Sequence, residues 1–325
     1  MVSTKSLKVS IIIPFRAMNA YARESIAYCK LLDYDNYEII ALPDDWDDGI
    51  YPIDGVTVIP TGPVGPSQKR DLAAEHVDGE ILAFLDDDAY PDRNWLKCAV
   101  RHFNSDLVGG VGGPAVTPPS DGVWEQASGA VYQSLLGGGP YTYRYIPRPT
   151  RLVKDYPTCN LLVRRSTFLD AGGFSTEFWP GEDTKLCLAI TMDLGKKIVY
   201  DPGVLVYHHR RHVFDGHLRQ VASYALHRGY FAKKFPQTSR LPSYFLPSAL
   251  VISLIGGLPS LFFPVVGDLY IGYVSFYLAL VMLSSIHTAF PNLVVVALTF
   301  VGIIVTHLVY GVWFLKGLLA RKLLI

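Results

Sequence analysis

Short apolar runs alternate with stretches of helical spacing through most of the chain, and the pattern changes near its C-terminal end. Residues 7–13 form a β-branched run closed by Pro14, which predicts a first central strand. Residues 19–31 repeat their apolar positions at helical spacing, and residues 37–42 read as a second strand running into Pro43, Asp44 and Asp45. A short third strand is predicted over 56–59. Gly65, Pro66 and Ser67 then open a helix carrying Gln68, Lys69 and Arg70. The apolar run 81–85 is a further buried strand, ending in Asp86, Asp87 and Asp88. This alternation argues for a parallel sheet with helices on both faces.

Beyond Leu107 the pattern loosens. Residues 107–119 are rich in Gly and Pro, which suits a strand with bulges or close backbone approach. Residues 137–151 combine glycines, tyrosines and arginines and read as a mobile loop. Strands are predicted over 159–164, 197–200 and 204–207, the last running into His208, His209, Arg210 and Arg211. A short helix ends at Gly172 and Gly173, and another begins at Gly181 and runs to Leu194. Residues 214–235 form an amphipathic basic helix, a composition suited to the surface of a membrane.

Three apolar blocks close the sequence, at about 244–266, 269–290 and 293–315, each long enough to cross a hydrocarbon layer. Between Tyr244 and Leu315 the only carboxylate is Asp268, and there is no Lys or Arg. The expected organisation is therefore a domain over 1–213, an interfacial helix region over 214–240 and a multi-pass transmembrane domain over 241–325. Lys233, Lys234 and Arg240 precede the first block, and Lys316, Arg321 and Lys322 follow the last. The charge bias puts both flanks on the cytoplasmic side, which requires an even number of crossings, whereas three full spans give an odd one. The order of crossings stays open at this stage.

Composition adds two exclusions. Formal net charge is zero, so nucleic acid is not an expected partner. Cys29, Cys98, Cys159 and Cys187 are widely spaced, with no metal-binding pair and no disulfide-scaffold density. With a leading apolar run too short for a signal peptide, the N-terminal domain is expected to face the cytoplasm, attached to the cell membrane.

The chemistry concentrates at strand ends. Three carboxylates in a row repel one another unless a cation sits among them, and ligands of open α/β sheets bind where strands end. Asp86 to Asp88 therefore mark a place for a divalent metal and a phosphate. Glu182 and Asp183 lie in the first turn of a helix, where the dipole favours negative charge. Strand alternation sends His208 and His209 to opposite faces, and either is a candidate ligand.

In order and spacing, VSIIIPFR, EIIALPDD, GPSQKRDLA, FLDDDAYPDRNWL, CNLLVRRSTFLDAGGF, GEDTKLCL, IVYDPGVLVYHHRR and RQVASYALHRGYFAKKFP resemble family-2 glycosyltransferases, over about residues 9–236. The resemblance implies an α/β fold of the GT-A type, Rossmann-like, with a mostly parallel central sheet. It implies a nucleotide-diphosphate sugar donor, held by Pro14, Arg16, Asp44 or Asp45, Arg70, Asp86, Asp87 and Arg211. It further implies Mn²⁺ or Mg²⁺ on Asp86, Asp88 and His208, and Asp183 as general base beside Glu182. The reaction implied is a single inverting displacement.

Departures narrow the acceptor. A QxxRW motif, typical of processive synthases in the family, is replaced here by Gln220-Val221-Ala222-Ser223-Tyr224. The stretch DDDAYPDR lacks the Gln usual in polyprenyl-phosphate sugar synthases, and Lys185 stands where a further acid is frequent. The expected reaction moves mannose or glucose, from GDP-mannose or UDP-glucose, to a glycolipid or lipid-linked saccharide among the membrane lipids. The alternatives are a polyprenyl-phosphate glycosyltransferase and an inactive sugar-binding membrane protein.

Overall fold

A computed structural model describes residues 6–46, 53–174, 176 and 178–323. The residues ahead of position 6, where the sequence was read for a signal peptide, lie outside that range. The chain forms two compact units, Met1–Val116 with Ile146–His208 and Thr117–Tyr145 with His209–Ile325.

In chain order, β1 (Val9–Pro14) is wholly buried and leads to α1 (Ala20–Cys29), capped by Asn19, whose Oδ1 accepts the Ala22 N–H at 2.9 Å. Next come β2 (Tyr37–Leu42) and β3 (Thr57–Val58). Gly65 precedes α2 (Pro66–His76), and Gln68 Oε1 reaches back to accept the Gly65 N–H at 3.1 Å. Pro66 takes the first helical position, where no N–H is needed. Then follow β4 (Ile81–Leu85), β5 (Ala89–Pro91), α3 (Trp95–Val100), β6 (Val108–Gly112) and β7 (Ala115–Val116). After α4 (Val123–Gln133), the segment 137–151 read as a loop is helical over its first half, in the end of α5 (Leu135–Gly138) and a 3₁₀ turn over Gly139–Arg144, and is irregular from there to β8 (Arg151–Val153). Ser134 makes the bend there, accepting the Gly137 N–H at 2.9 Å. The remaining elements of this stretch are β9 (Asn160–Arg164), α6 (Arg165–Asp170), α7 (Glu182–Leu188), β10 (Lys197–Tyr200) and β11 (Val206–His208). The helix expected to reach Leu194 loosens to a wider π turn over Ala189–Asp193.

The larger sheet has the order β3-β2-β1-β4-β9-β6-β10-β8. It is mostly parallel. The exceptions are β9, antiparallel to both β4 and β6, and β8, antiparallel to β10. The Gly-rich reading of β6 holds: register shifts between Lys197 and Ile198, so Gly109 is bulged opposite β10. A Cβ on Gly109 would lie 2.9 Å from the Thr167 methyl, closer than packed atoms approach. Ile11, Ile13, Ile39, Ala41, Ile81, Ala83 and Leu85 form one continuous core with Trp95, Leu96 and Phe103. A smaller sheet, β5-β11-β7, stands beside the carboxyl end of β4.

In the second unit α8 (Asp215–Lys234), α9 (Pro236–Ser239), α10 (Pro242–Gly257), α11 (Pro264–Ala289) and α12 (Leu293–Leu319) follow one another. Three stretches, Pro242–Phe262, Pro264–Ala289 and Leu293–Leu319, are long and apolar enough to cross a membrane. His217 pins α4, α8 and α12 together, with Nδ1 2.9 Å from Ser128 Oγ and Nε2 2.9 Å from Thr306 Oγ1. Burial, helped by the positive charge of Arg210, lowers its pKa to about 4, so the imidazole is neutral at pH 7.

Candidate active site

Parallel pairing sets the frame of the site. Pro14 faces Leu42 across β1 and β2, and Ile12 faces Phe84 across β1 and β4. The chain leaving β4 therefore emerges beside the end of β1, which brings Asp86 next to the Pro14 turn. The Asp44 N–H donates to the Arg16 carbonyl at 2.9 Å, closing the β1 and β2 ends into one edge. The side chains of Arg16 and Asp45 are exposed there, while that of Asp44 is 23% accessible.

Two buried cations from α2 reach into this edge. Lys69 Nζ lies 2.7 Å from Asp44 Oδ1, 2.9 Å from the Phe15 carbonyl and 3.1 Å from that of Leu42. All three donors of the ammonium are thereby used, as a buried charge requires. Arg70 lies 2.6 Å from Asp86 Oδ1 through Nη2 and 3.6 Å from Glu182 Oε1 through Nη1. Its guanidinium also rests over the Phe174 ring, 5.8 Å from the centroid. One buried side chain thus links the aspartate tip to the start of α7.

The α7 acids differ in environment. Gly181 enters the helix at φ 123°, a backbone conformation that favours glycine. Glu182 is buried, and desolvation raises its carboxyl pKa against the opposing pull of Arg70. Its Oε2 accepts the Gly181 N–H at 2.9 Å. Asp183 stays partly accessible, with Oδ1 accepting the Thr184 N–H at 2.7 Å.

The three aspartates also separate. β11 pairs antiparallel with β5 so that His208 lies opposite Ala89, which sets its ring beside the preceding residue. His208 Nε2 is 3.0 Å from Asp88 Oδ1. Asp86, Asp88 and His208 each offer a ligand atom, all within 4.8 Å of one another. Asp87 turns elsewhere: its Oδ2 accepts from Asn19 Nδ2 at 3.1 Å, tying the tip to the cap of α1. Burial raises its pKa to about 6, with Asp88 and Asp86 adding to the shift and the Asn19 bond opposing it. His209 points away to Asp121, Nδ1 to Oδ1 2.6 Å, and with the exposed Arg211 belongs to the second unit.

Two residues at the site escaped sequence reasoning. Lys69 sits one position before Arg70 in a polar helix, and nothing in the spacing separates a buried lysine from a solvated one. Asn160 opens an apolar strand yet is fully buried. Its Oδ1 accepts from Trp95 Nε1 at 2.8 Å, and its Nδ2 donates to the Gly113 and Val204 carbonyls at 2.7 Å each. Those bonds fix the chain that enters β11 and so position His208. A polar residue at the mouth of an otherwise apolar run is the signal that was available.

Comparisons with known proteins bear on the family and the fold. Residues 10–170 match the model described as Glycosyl transferase family 2. The pre-mycofactocin glycosyltransferases of two Mycobacterium tuberculosis strains, CDC 1551 / Oshkosh and H37Rv, are 30% identical over 147 residues. That match takes in 45% of this chain and 30% of the length of those relatives. Among solved structures, the mannosyltransferase PcManGT from Pyrobaculum calidifontis, in complex with GDP-Man and Mn²⁺, superposes with a TM-score of 0.61 at 18% identity, covering 95% of this chain and 88% of that one. GalNAc-T7 with UDP, GalNAc and Mn²⁺ gives 0.51 at 17%, covering 74% and 52%. Residues 10–170 thus match the family-2 glycosyltransferase model, in a chain of GT-A fold that carries three C-terminal helices long and apolar enough to cross a membrane.

Proposed function

We propose that this chain is a metal-dependent, inverting glycosyltransferase that moves a hexose from a nucleotide-diphosphate donor to a lipid-linked acceptor at the cytoplasmic face of the cell membrane. The observation that carries the reading is the convergence of Asp86, Asp88 and His208, with ligand atoms within 4.8 Å. Two carboxylates and one imidazole suit Mn²⁺ well and leave coordination positions for phosphate oxygens; Mg²⁺ fits the carboxylates alone more closely. A cation held there supplies charge neutralisation to the departing diphosphate.

The chain's own groups divide the remaining work. Asp44, held on one oxygen by Lys69, has its second oxygen for an N–H of the base. Arg70 is placed to shift its donors from Asp86 toward donor phosphate. Asp183, more accessible than Glu182, takes the proton of the acceptor hydroxyl as it attacks, and Glu182 anchors the helix start through Arg70. No covalent sugar–enzyme intermediate is needed, so configuration inverts. Mannose from GDP-mannose is the donor we adopt, with UDP-glucose second, in keeping with the GDP-Man bound to the fold neighbour. The three apolar helices support a membrane acceptor, since anchoring raises the effective concentration of a lipid substrate.

The test is product analysis. Full-length protein in lipid nanodiscs is given each nucleotide sugar with a lipid extract, with Mn²⁺ or with EDTA. A hexosylated glycolipid and free nucleoside diphosphate, formed only with metal, are expected. A polyprenol sugar phosphodiester would instead indicate a polyprenyl-phosphate acceptor, and no transfer from any donor would contradict the enzymatic reading.

A further inference from the structure

By length and composition alone, α12 reads as a membrane span. Its surroundings say otherwise. The pairing of α8 with α12 is the most extensive between helices among the described residues. It starts at the His217–Thr306 hydrogen bond, continues where Gly229 abuts the Phe314 backbone and Gly317 abuts Leu226, and ends where Lys233 reaches the Ala320 carbonyl. From Thr306 to Ala320 is roughly 21 Å of helix at about 1.5 Å per residue. Over that length α12 runs beside a helix whose outer face carries Asp215, Arg219, Lys233 and Lys234, all exposed.

The part of α12 clear of α8, residues 293–305, is only about 20 Å long, against a hydrocarbon layer of about 30 Å. Even there α4 lies against it, with a Val131 methyl 2.8 Å from where a Gly302 Cβ would stand. A crossing by α12 would drag the charges of α8 into hydrocarbon, at roughly 2.5–3.5 kcal/mol each. α10 and α11 rest on α12 as well, through Ser248 Oγ 2.9 Å from the Gly311 carbonyl and Tyr277 Oη 2.9 Å from His307 Nδ1. Beyond those contacts they meet each other in a hairpin, with Tyr270 Oη 2.6 Å from the Leu254 carbonyl and Tyr273 Oη 2.7 Å from Ser253 Oγ. Apart from the exposed Asp268, the tip of that hairpin is bare and apolar: Phe262 is 86% exposed and Val265 74%.

We propose that α12 lies along the membrane interface against α4 and α8, that only the end of the α10–α11 hairpin beyond its contacts with α12 enters the bilayer, and that Arg240 and Lys322 therefore sit on one side. An independent feature agrees. Basic residues flank the apolar region at both ends, and the two connecting turns have none, which suits an even number of crossings. The occupant of the exposed hairpin is an anionic lipid leaflet, matched by the basic flanks.

The test uses the full chain in sealed membrane vesicles of one orientation and a membrane-impermeant maleimide. Labelling of Arg219→Cys on α8 and of Lys322→Cys is compared with that of the parent protein, which accounts for native thiols. Both added cysteines are expected to react equally before permeabilisation. Reaction of one only after permeabilisation would place the two ends of α12 across the bilayer and overturn the proposal. A protease-cleavable tag after the last residue, on the otherwise unaltered chain, makes the same distinction should either variant misassemble. Cleavage in vesicles whose α8 is accessible supports the proposal, and protection of the tag contradicts it.

Discussion

Lys69 and Arg70 are consecutive, almost fully buried and differently employed. Lys69 spends its charge on Asp44 and on the carbonyls that end β1 and β2, whereas Arg70 joins Asp86 to Glu182. Lys69→Met leaves a partly accessible carboxylate and two carbonyls without their donor, at about 1–3 kcal/mol for a buried group left unsatisfied. Chemical denaturation should show that loss, and among variants that still fold, nucleotide affinity should fall more than turnover. For Asp183→Asn the balance reverses. Nucleotide binding measured by calorimetry should be nearly unchanged, while turnover drops by about 10²–10⁴-fold, the worth of a positioned general base. Wild-type turnover in that variant would remove Asp183 from the chemistry.

At the scale of elements, the strand ends and the helix start at Gly181 were legible because apolar runs, Pro and Gly punctuate them sharply. The second sheet was not. β5, β7 and β11 are too short to carry a period, and β11 begins at Val206 and takes in His208, later than the apolar pattern suggested. The choice between His208 and His209 depends on that register, so the sequence left it open and the pairing with Ala89 decides which ring faces Asp88. Asn160 holds this register from a distance. Asn160→Ala would orphan the Trp95 N–H and two carbonyls, at about 1–3 kcal/mol for each unsatisfied group. The melting temperature should fall, and Mn²⁺-dependent nucleotide binding should weaken beyond what the lower stability explains. The aromatic segment after Ser134 escaped for another reason. Its glycines suggested a loop, but it packs within the second unit, where His307 Nε2 donates to the Leu136 carbonyl at 2.8 Å.

For the whole molecule, the absence of Lys and Arg across residues 244–315 marks the three apolar helices. That residues 117–145 belong with the helical unit has no trace in local pattern, because such membership is set by tertiary packing alone. The same packing predicts a pH response. His217 has a native pKa of about 4, below its ordinary value of 6.5. The unfolded chain therefore binds the extra proton first as pH falls. Stability from this group is complete above pH 6.5, declines through the window and is gone below pH 4, a loss on the order of 3 kcal/mol. Melting curves in detergent should show a shallower decline over that window for His217→Asn than for the wild type. The central claim concerns the first unit, and calorimetric titration with GDP and UDP, with and without Mn²⁺, tests it most directly. The account predicts Mn²⁺-enhanced affinity in the wild type that falls at least about tenfold in Asp88→Asn. Equal Mn²⁺-dependent affinity in the two proteins would contradict it.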